Sequence, residues 1–222
     1  MRGRPLTHQA ALTEATVEVF GLRIPPGTEP VADVQPWGKT DRQILRDVLA
    51  AADLGAPSVD DVARWEAAAC AVYERLEVAP DGDPVHGETA AALERLRAAG
   101  HRLALVTGNL EPVARRKLAM RGLDGFFPPG QGGFGSDADL RPELVPIARA
   151  RAGDSGAGGA PHPREDTVLI GDTPRDVEAA LADDVHCIAI TGPRFDAAAL
   201  RAAGATATID AIPEVEAALA RV

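Results

Sequence analysis

A short apolar run, Val168-Leu169-Ile170, stops at Gly171 and is followed at once by Asp172-Thr173-Pro174-Arg175-Asp176. Consecutive apolar residues with β-branched ends suit a strand covered on both faces, as in parallel sheets. Thr173 is a natural helix cap and Pro174 fits the first helical position, so the chain turns sharply after Asp172. A carboxylate just past a parallel strand lies where open α/β sheets bind ligands. The stretch therefore calls for a parallel sheet clad in helices, with an acidic pair at the edge where ligands collect.

The second part of the chain agrees with it. Leu103-Ala104-Leu105-Val106 reads as a buried strand ending at Thr107-Gly108-Asn109, ahead of a helix with Pro112 in its first turn. Pro142 opens a helix through Leu144, Ile147 and Ala148, and Cys187-Ile188-Ala189-Ile190 reads as a further strand before two last helices. Phe126-Phe127 and Gly132-Gly133-Phe134-Gly135 suggest an irregular excursion, and residues 153–164, rich in Gly, Ala and Pro, a surface loop. Strands alternating with helices from residue 85 onward predict a three-layer α/β fold with a Rossmann-like parallel sheet.

The first part carries no strand pattern. A helix over His8–Phe20 is closed by Gly21, and Pro25, Pro26, Gly27, Pro30 and Pro36 then make a loop. Thr40-Asp41-Arg42-Gln43 is a capping box ahead of Ile44, Leu45, Val48 and Leu49. Ser58 caps another helix, with Val62, Trp65, Ala69, Val72 and Leu76 on one face. Two units follow: an all-helical one over 1–79, in which 1–7 have no periodicity, and an α/β one over 80–222.

The net charge of −10 argues against nucleic acid as a partner, because phosphate backbones need a basic footprint. A phosphorylated small molecule needs only a few local donors and stays open. No apolar run approaches membrane-spanning length. Cys70 and Cys187 lie far apart in apolar segments and read as reduced core residues of a cytoplasmic protein. Aromatic residues are 4% of the chain, so the core must rest on Ala, Val, Leu and Ile.

Three strand ends or helix starts carry the candidate chemistry. Thr107, Gly108 and Asn109 offer a hydroxyl and amides at a helix N-terminus, suited to phosphate oxygens, although Thr107 also reads as a simple cap. Arg141, just before a helix, suits a second anionic oxygen. Asp172 and Asp176 suit a hard cation such as Mg²⁺, while Asp176 has a second reading as the capping-box partner of Thr173. Metal, cation and amides together are parts for phosphoryl transfer. Lys39, in the helical unit, is a possible contact to a substrate anion. Lys117 and its neighbours Arg115 and Arg116 read as a solvated helix face. Asp81, Asp83, Asp137 and Asp139 read as turn residues, and the five histidines show no ligand spacing.

These stretches resemble the haloacid dehalogenase superfamily of phosphatases and related hydrolases. Val106-Thr107-Gly108-Asn109 is similar to its second motif, which binds the transferring phosphoryl group. Arg141-Pro142 matches the third, and Gly171-Asp172-Thr173-Pro174-Arg175-Asp176 the fourth, whose acids hold Mg²⁺. The helical unit resembles the small cap of a subgroup that includes phosphoglycolate phosphatase-like enzymes. The resemblance implies a Mg²⁺-dependent phosphatase acting on a small phosphorylated metabolite, with the cap closing over the site. It also implies a first motif, Asp-x-Asp-Gly-Thr, on a strand lying between those that end at Thr107 and Asp172. Residues 1–7 contain no Asp, so the expectation is an N-terminally truncated enzyme without its nucleophile, inactive as it stands. The alternative is a catalytically dead homologue that binds a ligand or a protein. The residues that separate phosphatases from dehalogenases and phosphonate hydrolases surround the missing motif.

Overall fold

The computed structural model describes residues 8–75, 85–153 and 159–222. Residues 1–7, the Asp81-Gly82-Asp83 turn, the boundary near residue 80 and the centre of the 153–164 loop lie outside the described residues. The helical unit comprises α1 (His8–Phe20), α2 (Pro30–Asp33), α3 (Asp41–Ala51) and α4 (Val59–Arg75). After it come α5 (Val85–Ala98), β1 (Val106–Thr107), α6 (Glu111–Met120), β2 (Gly133–Phe134) and α7 (Leu144–Ala152). The chain continues through β3 (Val168–Gly171), α8 (Pro174–Ala182), β4 (His186–Ile190), α9 (Ala197–Ala202), β5 (Ala207–Ile209) and α10 (Val215–Leu219). Among the described residues no helix is long and apolar enough to cross a membrane.

The helical unit packs α1 on α4. Ala11, Leu12 and Ala15 bury one face of α1, and Val62, Trp65, Ala69 and Val72 follow one another at three- and four-residue steps along α4. That spacing forms a single apolar stripe. Trp65 is fully buried and donates its Nε1–H to Thr16 Oγ1 at 3.0 Å, so its polar edge is satisfied inside the core. Gly21, at φ +66°, lets the chain leave α1.

In the α/β unit β4 is the centre of a parallel sheet ordered β3-β4-β5. Cys187 and Ala189 face Val145 of α7, Val177 of α8 and Leu200 of α9. Ile188, between them, faces Leu96 of α5 and Val215 and Ala218 of α10. Alternate residues of one strand are thus buried on opposite faces, which makes the expected three layers. Both cysteines are free, Cys187 buried and Cys70 half-buried.

The strand carrying Thr107 stands apart. β1 pairs only with β2, in parallel, and this two-stranded piece is separate from the β3-β4-β5 sheet among the described residues. The division falls between the strands of Thr107 and Asp172, where the resemblance puts the first-motif strand. β1 is also shorter than the predicted 103–106 strand, with Ala104 exposed and Leu105 half-buried. Its pairing is limited to one side, although Leu105 still accepts the Gly133 N–H at 2.8 Å. Two strands were not predicted: β2 lies inside the supposed excursion, and β5 precedes the last helix.

Candidate active site

β1 delivers Thr107 and the turn Gly108-Asn109-Leu110 to the start of α6. Thr107 Oγ1 accepts the Asn109 N–H at 3.3 Å and folds the turn back on the strand end. The next two amides are already engaged: Leu110 N–H donates to Asp41 Oδ2 at 2.8 Å and Glu111 N–H to Ser136 Oγ at 3.2 Å. A ligand at this helix end would therefore meet the Thr107 hydroxyl and the Asn109 side chain more than the helix amides. Gly108 is pressed against the helical unit. A Cβ there would lie 2.0 Å from the Lys39 carbonyl oxygen, and its own carbonyl accepts the Asp41 N–H at 2.7 Å.

The acidic turn is built around Asp176, which is buried. Its Oδ2 accepts from the backbone of Asp172 at 3.2 Å, the backbone of Thr173 at 3.0 Å and the Thr173 hydroxyl at 2.8 Å. Its Oδ1 pairs with the Arg141 guanidinium. The capping box read from the sequence is thus present, with Arg141 added to it. Gly171 makes room: a Cβ at this position would stand 2.3 Å from Asp176 Cβ and Cγ. Asp172 opens to solvent on one side, while the protein mass behind it removes part of its water. This desolvation, followed by the charge of Asp176, pushes the Asp172 pKa up; Arg141 and Arg194 act in the opposite sense. Arg141 is largely buried, and its Nε–H has no hydrogen-bond acceptor among the described residues.

One segment of the helical unit, Trp37–Asp41, touches all of these turns. Gly38 adopts φ +74° and comes so close to the acidic turn that a Cβ would lie 2.7 Å from Thr173 Oγ1. Arg175 donates to the Trp37 carbonyl at 2.7 Å, and the Arg194 guanidinium stacks 4.3 Å from the Trp37 ring centroid. The Lys39 carbonyl abuts Gly108, and the Thr40 hydroxyl donates to the Asp139 carbonyl, two residues before Arg141. The Lys39 ammonium points elsewhere, onto Val34 O at 2.5 Å and Asp47 Oδ2 at 2.6 Å. Arg141, Asp172 and Asp176 therefore form one cluster. The Thr107–Asn109 turn joins it through this strap.

Several residues behave differently from their sequence reading. Lys117 is withdrawn from water, donating to Asn109 Oδ1 at 2.5 Å and lying 5.8 Å from the Tyr73 ring centroid; burial pushes its pKa down to about 8. Arg115 is no solvated side chain either, since it donates to Glu111, Phe127 O and Gln131 O. Asp137 pairs with Arg151 and accepts the Phe134 N–H. His8 and Asp41, which the sequence left as a helix residue and part of a cap, both reach the Thr107–Asn109 turn. Their partners are distant in sequence, and the local pattern carries no signal of them.

The sequence matches no curated protein sequence. Among solved structures, a hydrolase from Pseudomonas syringae is 17% identical with a TM-score of 0.65, covering 97% of this chain and 91% of its own. A phosphonoacetaldehyde hydrolase-like protein from Oleispira antarctica is 14% identical with a TM-score of 0.61, covering 96% and 86% respectively. A HAD family hydrolase from Deinococcus radiodurans R1, with bound phosphate and sodium, is 21% identical with a TM-score of 0.52, covering 96% and 89%. At these identities the likeness is one of fold. The family model for haloacid dehalogenase-like hydrolases matches residues 28–181, from the loop before α2 through most of α8, and the chain belongs to that family.

Proposed function

We propose that the chain provides the ligand-holding part of a Mg²⁺-dependent phosphatase-type site for a small phosphorylated metabolite in the cytoplasm. The observation that carries this reading is Arg141: one part of its guanidinium is fixed by Asp176, and its buried Nε–H has no acceptor among the described residues. A buried charged donor left unpaired is unfavourable, and a phosphoryl oxygen would satisfy it. The Thr107 hydroxyl and the Asn109 side chain take further phosphoryl oxygens.

The acidic turn fits a hard divalent cation. Two carboxylates of like charge meet there, and Mg²⁺ is commonly held by one or two carboxylates with water and substrate oxygens completing its shell. No group of three or more metal-binding side chains occurs among the described residues. Asp172, the more open carboxylate, is the direct ligand. Asp176 contributes charge and holds the turn, since the protein engages both of its oxygens. When bound, Mg²⁺ supplies charge neutralisation for the phosphoryl group. The helical unit acts as a cap that shapes the pocket around the rest of the substrate.

Among the described residues no carboxylate ends a strand between β1 and β3, so the chain itself is expected to bind without turnover. Titration with inorganic phosphate in the presence of Mg²⁺, followed by calorimetry, is the test. Wild-type chain should bind, and both Arg141→Ala and Asp172→Asn should weaken binding at least about tenfold. Equal binding by folded Asp172→Asn and wild type would remove the metal from the reading. Hydrolysis of an aryl phosphate by the same chain, abolished by Asp172→Asn, would overturn the expectation of no turnover.

A further inference from the structure

Asp41 is a fully buried carboxylate at the first turn of α3, with partners in two other parts of the chain. Its backbone N–H donates to Gly108 O at 2.7 Å and its Oδ2 accepts the Leu110 N–H at 2.8 Å. These contacts hold the backbone on either side of Asn109. Its Oδ1 lies 2.7 Å from His8 Nε2, and the same nitrogen lies 3.1 Å from Asn109 Nδ2. Lys117 has only hydrogens to offer, so the Asn109 oxygen must face it and the Asn109 NH₂ must face His8.

One imidazole nitrogen cannot serve both neighbours. With a proton on Nε2, His8 donates to Asp41 and cannot accept from Asn109. With a bare Nε2, the ring accepts from Asn109 but sets a lone pair against a buried carboxylate. That second arrangement also buries an Nδ1–H that has no acceptor among the described residues. Nδ1 lacks a partner among the described residues in either tautomer, and a lone pair set against a buried carboxylate costs more than an unpaired amide hydrogen, so Nε2 carries the proton. The Asn109 NH₂ is then left without an acceptor on the His8 side, at the turn that the preceding reading gives to phosphoryl oxygens.

We infer that Asp41 and His8 are positioning residues: Asp41 fixes the turn and the His8 tautomer, and that tautomer keeps the Asn109 NH₂ available for an anionic ligand. The inference deepens the proposed function and rests on it for the identity of the anion. It also ties the helical unit to the ligand-binding turn through a charged contact.

Asn109 is the only asparagine in the chain, so selective ¹⁵N-asparagine labelling gives one side-chain NH₂ pair to follow. Ring ¹⁵N shifts of His8 report its tautomer directly. The expected results are a protonated Nε2 in ligand-free wild type and movement of the Asn109 NH₂ signals on adding inorganic phosphate with Mg²⁺. In Asp41→Asn the neutral amide can donate to the ring, so Nε2 should lose its proton and phosphate affinity should fall about tenfold. A bare Nε2 in wild type overturns the inference, and so does unchanged phosphate affinity in folded Asp41→Asn. If that variant fails to fold, the wild-type tautomer still decides. A protonated Nε2 together with no phosphate binding by wild type supports the positioning network and refutes the functional reading instead.

Discussion

Lys117 offers a quantitative test of how tightly the helical unit and the α/β unit are packed. Burial lowers its pKa from 10.5 to about 8, with the Asp41 charge opposing the shift and Arg121 adding to it. Below pH 8 the ammonium is charged in both the folded and unfolded chain, and the folded state carries the full penalty of burying it. Between about pH 8 and 10.5 the folded chain gives up this proton first, so the unfolded chain binds more protons there. Stability must therefore rise with pH through that window. The pKa difference corresponds to about 3 kcal/mol, a large share of the ~5–15 kcal/mol typical of a folded domain.

Lys117→Met keeps the length of the side chain and removes the charge. Near pH 7 the variant loses the hydrogen bond to Asn109, worth about 1 kcal/mol, and is relieved of the buried charge. A net stabilisation of about 1–2 kcal/mol is expected there, falling away and reversing by pH 10.5. Urea denaturation of both proteins at pH 7, 9 and 10.5 measures it. Lys39 is the only other lysine, and groups titrating alike in both chains cancel in the difference. Because the Tyr73 ring lies beside the ammonium, the comparison is repeated in a Tyr73→Phe background. A wild type that gains no stability relative to the variant between pH 8 and 10 would show that Lys117 is solvated, and the packing of α4 on α6 would need revision.

Three further outcomes are expected. Asp183→Asn should cost about 3 kcal/mol in chemical denaturation, because it leaves the buried Arg149, now bonded to Asp183 Oδ2 at 2.6 Å, without its counter-charge; replacing both residues by apolar ones should recover much of that loss. Gly108→Ala should destabilise by roughly 2–4 kcal/mol, since its Cβ would meet a backbone carbonyl at 2.0 Å, whereas Gly55→Ala, at φ +75° with open space around it, should cost about 1 kcal/mol in a thermal melt. Mg²⁺ at a hundred times its dissociation constant should raise wild-type stability by about 2.7 kcal/mol, and the shift should vanish in Asp172→Asn.

The acidic turn shows what a sequence can and cannot display about such a site. Thr173 and Asp176 are three residues apart, and their capping box follows from that spacing alone, as do the helix start at Pro174 and the strand that precedes it. The other half of Asp176, its pairing with Arg141, joins residues 35 apart and has no local signature. Asp41 repeats the pattern on a larger scale. Its place after Thr40 reads as the first turn of a helix, while the bond that gives it a role spans 69 residues to Leu110. The same reasoning accounts for the strands that went unread. β4 is apolar because both its faces are buried, so composition reveals it, but Gly133-Phe134 and Ala207-Thr208-Ile209 are strands only because a neighbour supplies the ladder. Lys117 was placed on a solvated face because helical periodicity shows which residues share a side and not what packs against that side. His8, Asp41 and Lys117 each contact the other unit of the chain, and the candidate site lies along that junction. Its candidate binding residues are legible because each ends a local motif; the residues that hold those motifs in register are supplied from elsewhere. Substitutions at Asp41 and Gly38 should therefore disturb ligand binding more than their positions outside the family's motifs would suggest.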